Sequence, residues 1–164
     1  MFSKTLLHKG ARLILFSLCT LITCTVTSHG AQPENLLREF PRTQLIINTS
    51  NRKCILFDVY VAQTSAQRSQ GLMHIESMGT YEGMIFIYSE NIHISMWMKN
   101  TLIPLDMLFI DANLRIVSMH PDAVPYSEEI IKSGQEVIAT IELNAGSIEY
   151  FQLESGNKII FPAG

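Results

Sequence analysis

Between residues 44 and 164 the chain alternates short apolar stretches with polar, turn-forming clusters. The clearest stretch is Cys54 to Ala62, where Ile55, Phe57, Val59 and Val61 share one face of an extended segment, because successive strand side chains point to opposite sides. Leu45-Ile46-Ile47 precedes it across the turn cluster Asn48-Thr49-Ser50-Asn51, and the two are expected to pair as a hairpin. Thr64-Ser65-Ala66-Gln67 has capping-box spacing, with threonine at the N-cap and glutamine three residues later. It predicts a helix from about Ser65 to Gln70, closed by Gly71 as an αL cap. His74 to Glu82 is polar and reads as a loop placed to overhang a pocket. Gly83 to Tyr88 and Ile92 to Met98 read as strands joined by a turn at Ser89-Glu90-Asn91. Leu105 to Asp111 and Leu114 to Met119 flank the turn signal Asp111-Ala112-Asn113 and predict a second hairpin. A longer loop, His120 to Gln135, leads to a strand over Val137 to Leu143, a short helix within Gly146 to Leu153 and a last strand at Lys158 to Phe161. The pattern implies a mostly β (α+β) domain: a small barrel-like or rolled antiparallel sheet of seven or more short strands with two short helices.

One stretch departs from simple alternation and carries the best chemistry. Ile94 to Asp106 contains the only tryptophan, Trp97, followed by Lys99, Asn100, Thr101 and, after Pro104, an acid within an apolar run, Asp106. A charge in such a run needs a partner or water, since isolated burial is expensive. Lys99 and nearby backbone amides are the candidate partners. A second acid, Glu142, ends another apolar run.

Several blocks in this region carry a family resemblance. Gly71-Leu72-Met73, Gly83-Met84-Ile85-Phe86, Trp97-Met98-Lys99-Asn100-Thr101, Pro104-Leu105-Asp106 and Glu142-Leu143-Asn144-Ala145-Gly146 occur in the order found in domain-of-unknown-function family 192. The chain resembles that family over roughly residues 44–162. The resemblance implies a compact β-rich domain, often behind a signal peptide, and brings no activity with it. It also draws attention to Arg68, just ahead of the Gly-Leu-Met block. Arginine suits recognition of a carboxylate, whereas its bland role is a solvated surface residue.

The N-terminus reads as an export signal. Lys4, Lys9 and Arg12 form a positive start, and Leu13 to Val26 is apolar without a charge, short for a membrane span of roughly 20 residues. Val26-Thr27-Ser28 places cleavage before His29, giving a signal peptide over 1–28, a linker or mobile arm over 29–43 and a periplasmic or secreted domain over 44–164. Leu21-Ile22-Thr23 before Cys24 offers a lipoprotein alternative, poorly matched at Thr23. Removing 1–28 lowers Lys plus Arg from 12 to 9 against 15 acids, so the formal charge moves from −3 to −6. An acidic domain without a basic cluster lacks the electrostatic footprint of a nucleic-acid binder. Cys54 then remains alone, which excludes an internal disulfide and favours a buried, inert thiol.

Three functions compete. Trp97, Lys99, Asn100, Thr101 and Asp106, flanked by Arg68 and Glu142, offer an aromatic platform beside donors and acceptors. That suits a small polar ligand such as a sugar or peptide, or an envelope protein partner. A hydrolase-like enzyme would divide acid and base roles between Asp106 and Glu142, yet no nucleophile elbow, zinc motif or phosphate loop is present. Copper handling would draw on Met73, Met84, Met96, Met98, Met107 and Met119 with His74, His93 and His120, since thioethers select Cu(I). Methionine is as readily a core gap-filler. The reading adopted is a binding or accessory domain with no metal and no cofactor.

Overall fold

The protein is described here from a computed structural model covering residues 37, 38 and 40–162. The expected signal peptide and most of the expected arm lie outside the described residues. Seven strands and two short helices follow one another: β1 (Arg42–Asn48), β2 (Cys54–Ala62), α1 (Ser65–Gln70), β3 (Glu82–Met96), β4 (Leu105–Ile110), β5 (Ile116–Ala123), β6 (Ile131–Asn144), α2 (Ser147–Phe151) and β7 (Lys158–Ile160). They form one sheet in the order β5-β4-β6-β3-β2-β1-β7. The sheet curls into a half-barrel, and its outermost strands are brought together by an isolated bridge between Arg115 and Lys158. Backbone bonds from Ile116 N–H to the Asn157 carbonyl (3.0 Å) and from Ile159 N–H to the Leu114 carbonyl (2.7 Å) reinforce that closure. The result protects sheet edges that would otherwise invite pairing with another chain.

Both predicted hairpins form, β1 with β2 and β4 with β5. The sheet is not wholly antiparallel, however, because β2 and β3 run parallel. A parallel pair needs a crossover connection, which α1 and the following loop supply. The helix starts as its sequence dictates: Thr64 Oγ1 accepts from the Gln67 N–H, and the Gln67 side chain accepts from the Thr64 N–H. Gly71 ends it at φ 49° and ψ −137°, a positive φ that favours glycine but not the αL geometry expected.

The largest departure concerns Ser89-Glu90-Asn91. No hairpin turn forms there, and β3 continues through it for fifteen residues in all. Ile87 pairs with Ala139 and Ile92 with Val137, so β3 advances five residues while β6 advances two. A wide bulge absorbs the polar triplet that reads locally as a turn. A second irregularity answers it on β6. The Ser133 hydroxyl accepts from Ile94 N–H at 3.1 Å and donates to the Gln135 carbonyl at 2.6 Å, while Gly134 takes φ 75°. The expected loop over His120 to Gln135 shrinks accordingly, since β5 reaches Ala123 and β6 begins at Ile131.

Apolar residues pack on both faces of the sheet. Inside the curl, Leu45, Ile47, Phe57, Val59, Leu108 and Ile141 form one core with Phe151 from α2. On the outer face, Met84, Phe86, Met107 and Phe109 are covered by Leu72, Ile75 and Met98 from connecting segments. Leu37 and Phe40, inside the segment expected to be an arm, join this outer core, and the Pro41 carbonyl accepts from Val61 N–H at 2.8 Å. Cys54 departs from its expected burial: it begins β2 and is exposed. No helix among the described residues is long and apolar enough to cross a membrane.

Candidate functional site

The outer face of the β3–β6 pair holds the site. Gly83 lies opposite Leu143, and a Cβ on it would stand 2.6 Å from the Glu142 carbonyl and 2.8 Å from Leu143 Cδ2. Glycine therefore allows β3 to approach β6 beside the acid. Glu142 sits between Met84 on β3 and Met107 on β4, so its side chain shares their face. Two residues earlier on that face is Thr140, whose hydroxyl lies 3.0 Å from the Tyr88 hydroxyl. The Tyr88 O–H also lies 3.8 Å from Met96 Sδ.

Above these residues is a cleft of about 100 Å³ lined by Glu142, Phe86, Met96, Trp97, Lys99 and Thr101, and by Arg68 to Met73 at and just after the end of α1. Its walls come from two connections that tie to one another. The His74 N–H donates to the Asn100 carbonyl at 2.9 Å. The loop after β3 is fixed in turn by Met98 N–H to the Ser127 carbonyl (2.9 Å) and Tyr126 N–H to the Thr101 carbonyl (3.1 Å). The cleft thus rests on backbone bonds as well as packed side chains.

Glu142 is the unusual group. Its residue surface is 4% exposed, and no hydrogen bond or ion pair reaches its carboxyl among the described residues. Burial pushes its pKa from the ordinary carboxylic range up to about 8, because the charged form loses water without gaining a partner. At neutral pH it is mostly a neutral acid able to donate as well as accept. Tyr88 is pushed up to about 12, first by burial, against the opposing effect of its bond to Thr140, with the nearby Glu142 adding to the rise and Arg68 opposing it. Its phenol stays protonated.

The cations stand around this acid without pairing to it. Arg68 Nη1 donates to the carbonyls of Gln63 (2.6 Å) and Ile87 (3.1 Å), and its guanidinium carbon lies 5.9 Å from the Tyr88 ring centre. Lys99 Nζ lies 5.4 Å from the Trp97 ring centre. Trp97 itself is 48% exposed, an indole at the mouth rather than in the core. Thr101 is buried, with its hydroxyl 3.4 Å from the Lys99 carbonyl.

Of the residues singled out from sequence, Arg68, Trp97, Lys99, Thr101 and Glu142 line the cleft. Asn100 stands beside it, exposed, at φ 55° with its amide 3.9 Å from Met73 Sδ. Asp106 is elsewhere. It pairs with Leu143 and so faces the inside of the curl, where it accepts from Asp122 N–H at 2.9 Å and Ile148 N–H at 2.7 Å. Its carboxylate ties β4 to β5 and to the start of α2. Tyr88 and Thr140 were not among the sequence candidates, and Met73 and Met96, which line the cleft, were candidates only for copper. Thr140 had a signal, since it lies two residues from Glu142 in a strand and therefore on the same face. For copper, Met84, Met98 and Met107 are fully buried core residues, and no group of three or more His, Cys, Asp or Glu side chains arranged for a metal occurs among the described residues.

The profile of the DUF192 family, described as an uncharacterised ACR, matches residues 46–161. The chain belongs to the DUF192 family. Among solved structures, a chain from Sinorhizobium meliloti 1021, named as a candidate transcription regulator, is 36% identical with a TM-score of 0.73, covering 74% of this chain and 95% of its own. A protein of unknown function from Novosphingobium aromaticivorans DSM 12444 is 27% identical with a TM-score of 0.74, covering 80% and 94%. No match was found among curated proteins. The chain thus spans nearly the whole of these two structural relatives, and the cleft residues lie within the span matched by the family.

Proposed function

We propose that this DUF192 domain binds a small polar ligand in the cleft beneath Trp97, and that it does so outside the cytoplasm, behind the signal peptide read in residues 1–28. The observation that carries the reading is Glu142. A buried carboxyl with no partner among the described residues is costly to the fold, and such a group facing a cleft is explained when a ligand supplies the missing hydrogen bond. The half-exposed Trp97 beside it offers a flat apolar surface at the entrance.

The competing readings have less behind them. A hydrolase-like use of Asp106 and Glu142 needs both acids at one reacting bond, and they leave the sheet on opposite faces. The name of the Sinorhizobium relative suggests a role in transcription, against which stands an excess of acids over bases in this chain. Copper handling retains only Met73 and Met96 at the cleft.

The test is a thermal-shift screen of the protein against sugars, cell-wall fragments and peptides, with Trp97→Ala and Glu142→Ala in parallel. A ligand at a hundred times its dissociation constant stabilises by about 2.7 kcal/mol. A shift in the parent protein that vanishes in both variants supports the reading. A shift that persists in both, or none with any compound, sinks it.

A further inference from the structure

The cleft is charged in a one-sided way. Arg42 on β1 is neutralised within the fold, its Nη2 meeting Asp58 and Glu82, each at 2.9 Å. Arg68 and Lys99 have no such acid within ion-pair distance among the described residues, although both line the same cleft. The two carbonyls that hold Arg68 Nη1 fix its guanidinium in place and leave Nε and Nη2 without a partner among the described residues. A guanidinium held this way presents a fork that matches a carboxylate.

Resting on the ligand-binding reading above, we infer that the cleft selects a small hydroxylated carboxylate. Its acid group is held by Arg68 and Lys99, its flank lies on Trp97 and its hydroxyl meets Glu142. The buried acid does not cancel the two cations at neutral pH, because burial keeps it largely protonated until about pH 8. In that state it gives a ligand hydroxyl both a donor and an acceptor. The groups around it are Tyr88 on β3, whose phenol stays neutral, Arg68 on α1 and Lys99 on the loop after β3. Once Glu142 ionises, it repels the bound anion, so affinity for an acid falls as pH rises past 8.

The test uses the full chain and the fluorescence of Trp97, the only tryptophan. The probes are glucuronate, lactate and 4-hydroxybenzoate, each beside its neutral amide, with glucosamine as a cationic control and glucose 6-phosphate as an alternative anion. At pH 7 the carboxylates should bind at least tenfold tighter than their amides. Arg68→Gln and Lys99→Gln should each reduce that ratio severalfold. The preference should weaken between pH 7 and 9 in the parent protein and stay level in Glu142→Gln. Equal or tighter binding of the amides or of glucosamine overturns the anion inference and leaves the binding reading standing. Binding of the phosphate alone overturns the carboxylate assignment. No binding by any of these probes, with or without charge, overturns the inference together with the small-ligand reading it rests on.

Discussion

Asp106 and Glu142 are both buried acids on neighbouring strands, one rung apart in the β4–β6 ladder, and the fold treats them in opposite ways. Asp106 pairs with Leu143 and points into the curl; Glu142 pairs with Met107 and points outward. Asp106 is fully buried and receives two backbone N–H groups at 2.9 and 2.7 Å, from β5 and α2. Glu142 is nearly as buried and receives none among the described residues. The first acid completes the hydrogen bonding of chain segments that would otherwise bury unpaired amides. The second leaves hydrogen-bonding capacity open beside a cleft. Burial alone does not mark a site; burial without satisfaction does.

The comparison breaks most sharply at Asp106. Asp106→Ala strips the acceptor from two amides at once, and each orphaned buried group costs roughly 1–3 kcal/mol. Urea unfolding should therefore show a loss of about 2–5 kcal/mol. Affinity of the surviving folded protein for a cleft ligand should stay unchanged. A loss of affinity at full stability would mean that the inner acid belongs to the site.

Glu142 should respond in the other direction and through pH. Its folded pKa of about 8 lies above the ordinary value of 4.5, so the folded state holds its proton more tightly than the unfolded state does. This group's contribution is fully present below pH 4.5, declines as pH rises toward 8 and is lost above. The limiting slope is about 1.4 kcal/mol per pH unit. Glu142→Gln removes that slope, and near pH 8 it should exceed the parent protein in stability by on the order of 2 kcal/mol, less than the full linkage because the amide is also buried without a partner. Parallel denaturation curves at pH 5 and pH 8 measure it. Equal differences at both values would show that Glu142 is charged throughout.

The sequence makes these two acids look alike, each an acid in an apolar run near a turn. Which face each takes depends on the register between β4 and β6, a pairing of residues 29 to 39 positions apart that neither segment encodes by itself. The local elements were readable where local chemistry decides them. The β2 alternation, the Thr64–Gln67 box and the turn at Asp111-Ala112-Asn113 all do so. The polar Ser89-Glu90-Asn91 triplet misleads because a bulge against β6, not a turn, takes up its extra length. Arg68, Trp97, Lys99 and Thr101 were legible through their neighbours in sequence and the family blocks. Tyr88 was not, because what places it at the site is its long-range bond to Thr140.

That Tyr88–Thr140 bond offers a smaller perturbation on the outer face. Thr140→Val keeps the shape and deletes the hydroxyl 3.0 Å from the Tyr88 oxygen. The expected cost is about 1 kcal/mol, with Tyr88 left to its long contact with Met96 Sδ at 3.8 Å. Thermal unfolding reads the loss directly. An effect several times larger would show that this pair, and not the surrounding apolar packing, holds the floor of the cleft.

The smallest effect on stability should come from Lys99→Gln, and that smallness is its value. Lys99 has no ion pair among the described residues, and the structure gives its ammonium one aromatic neighbour, Trp97, at 5.4 Å. A cation–π contact at an exposed ring contributes about 0.5–1 kcal/mol, so the variant should unfold within about 1 kcal/mol of the parent. A side chain that does so little for the fold, beside an acid that weakens it at neutral pH, is what a site requires when its contacts are completed by something from outside. If Lys99→Gln instead destabilises as strongly as Asp106→Ala, the outer face is as self-sufficient as the inner one, and the contrast between the two acids fails with it.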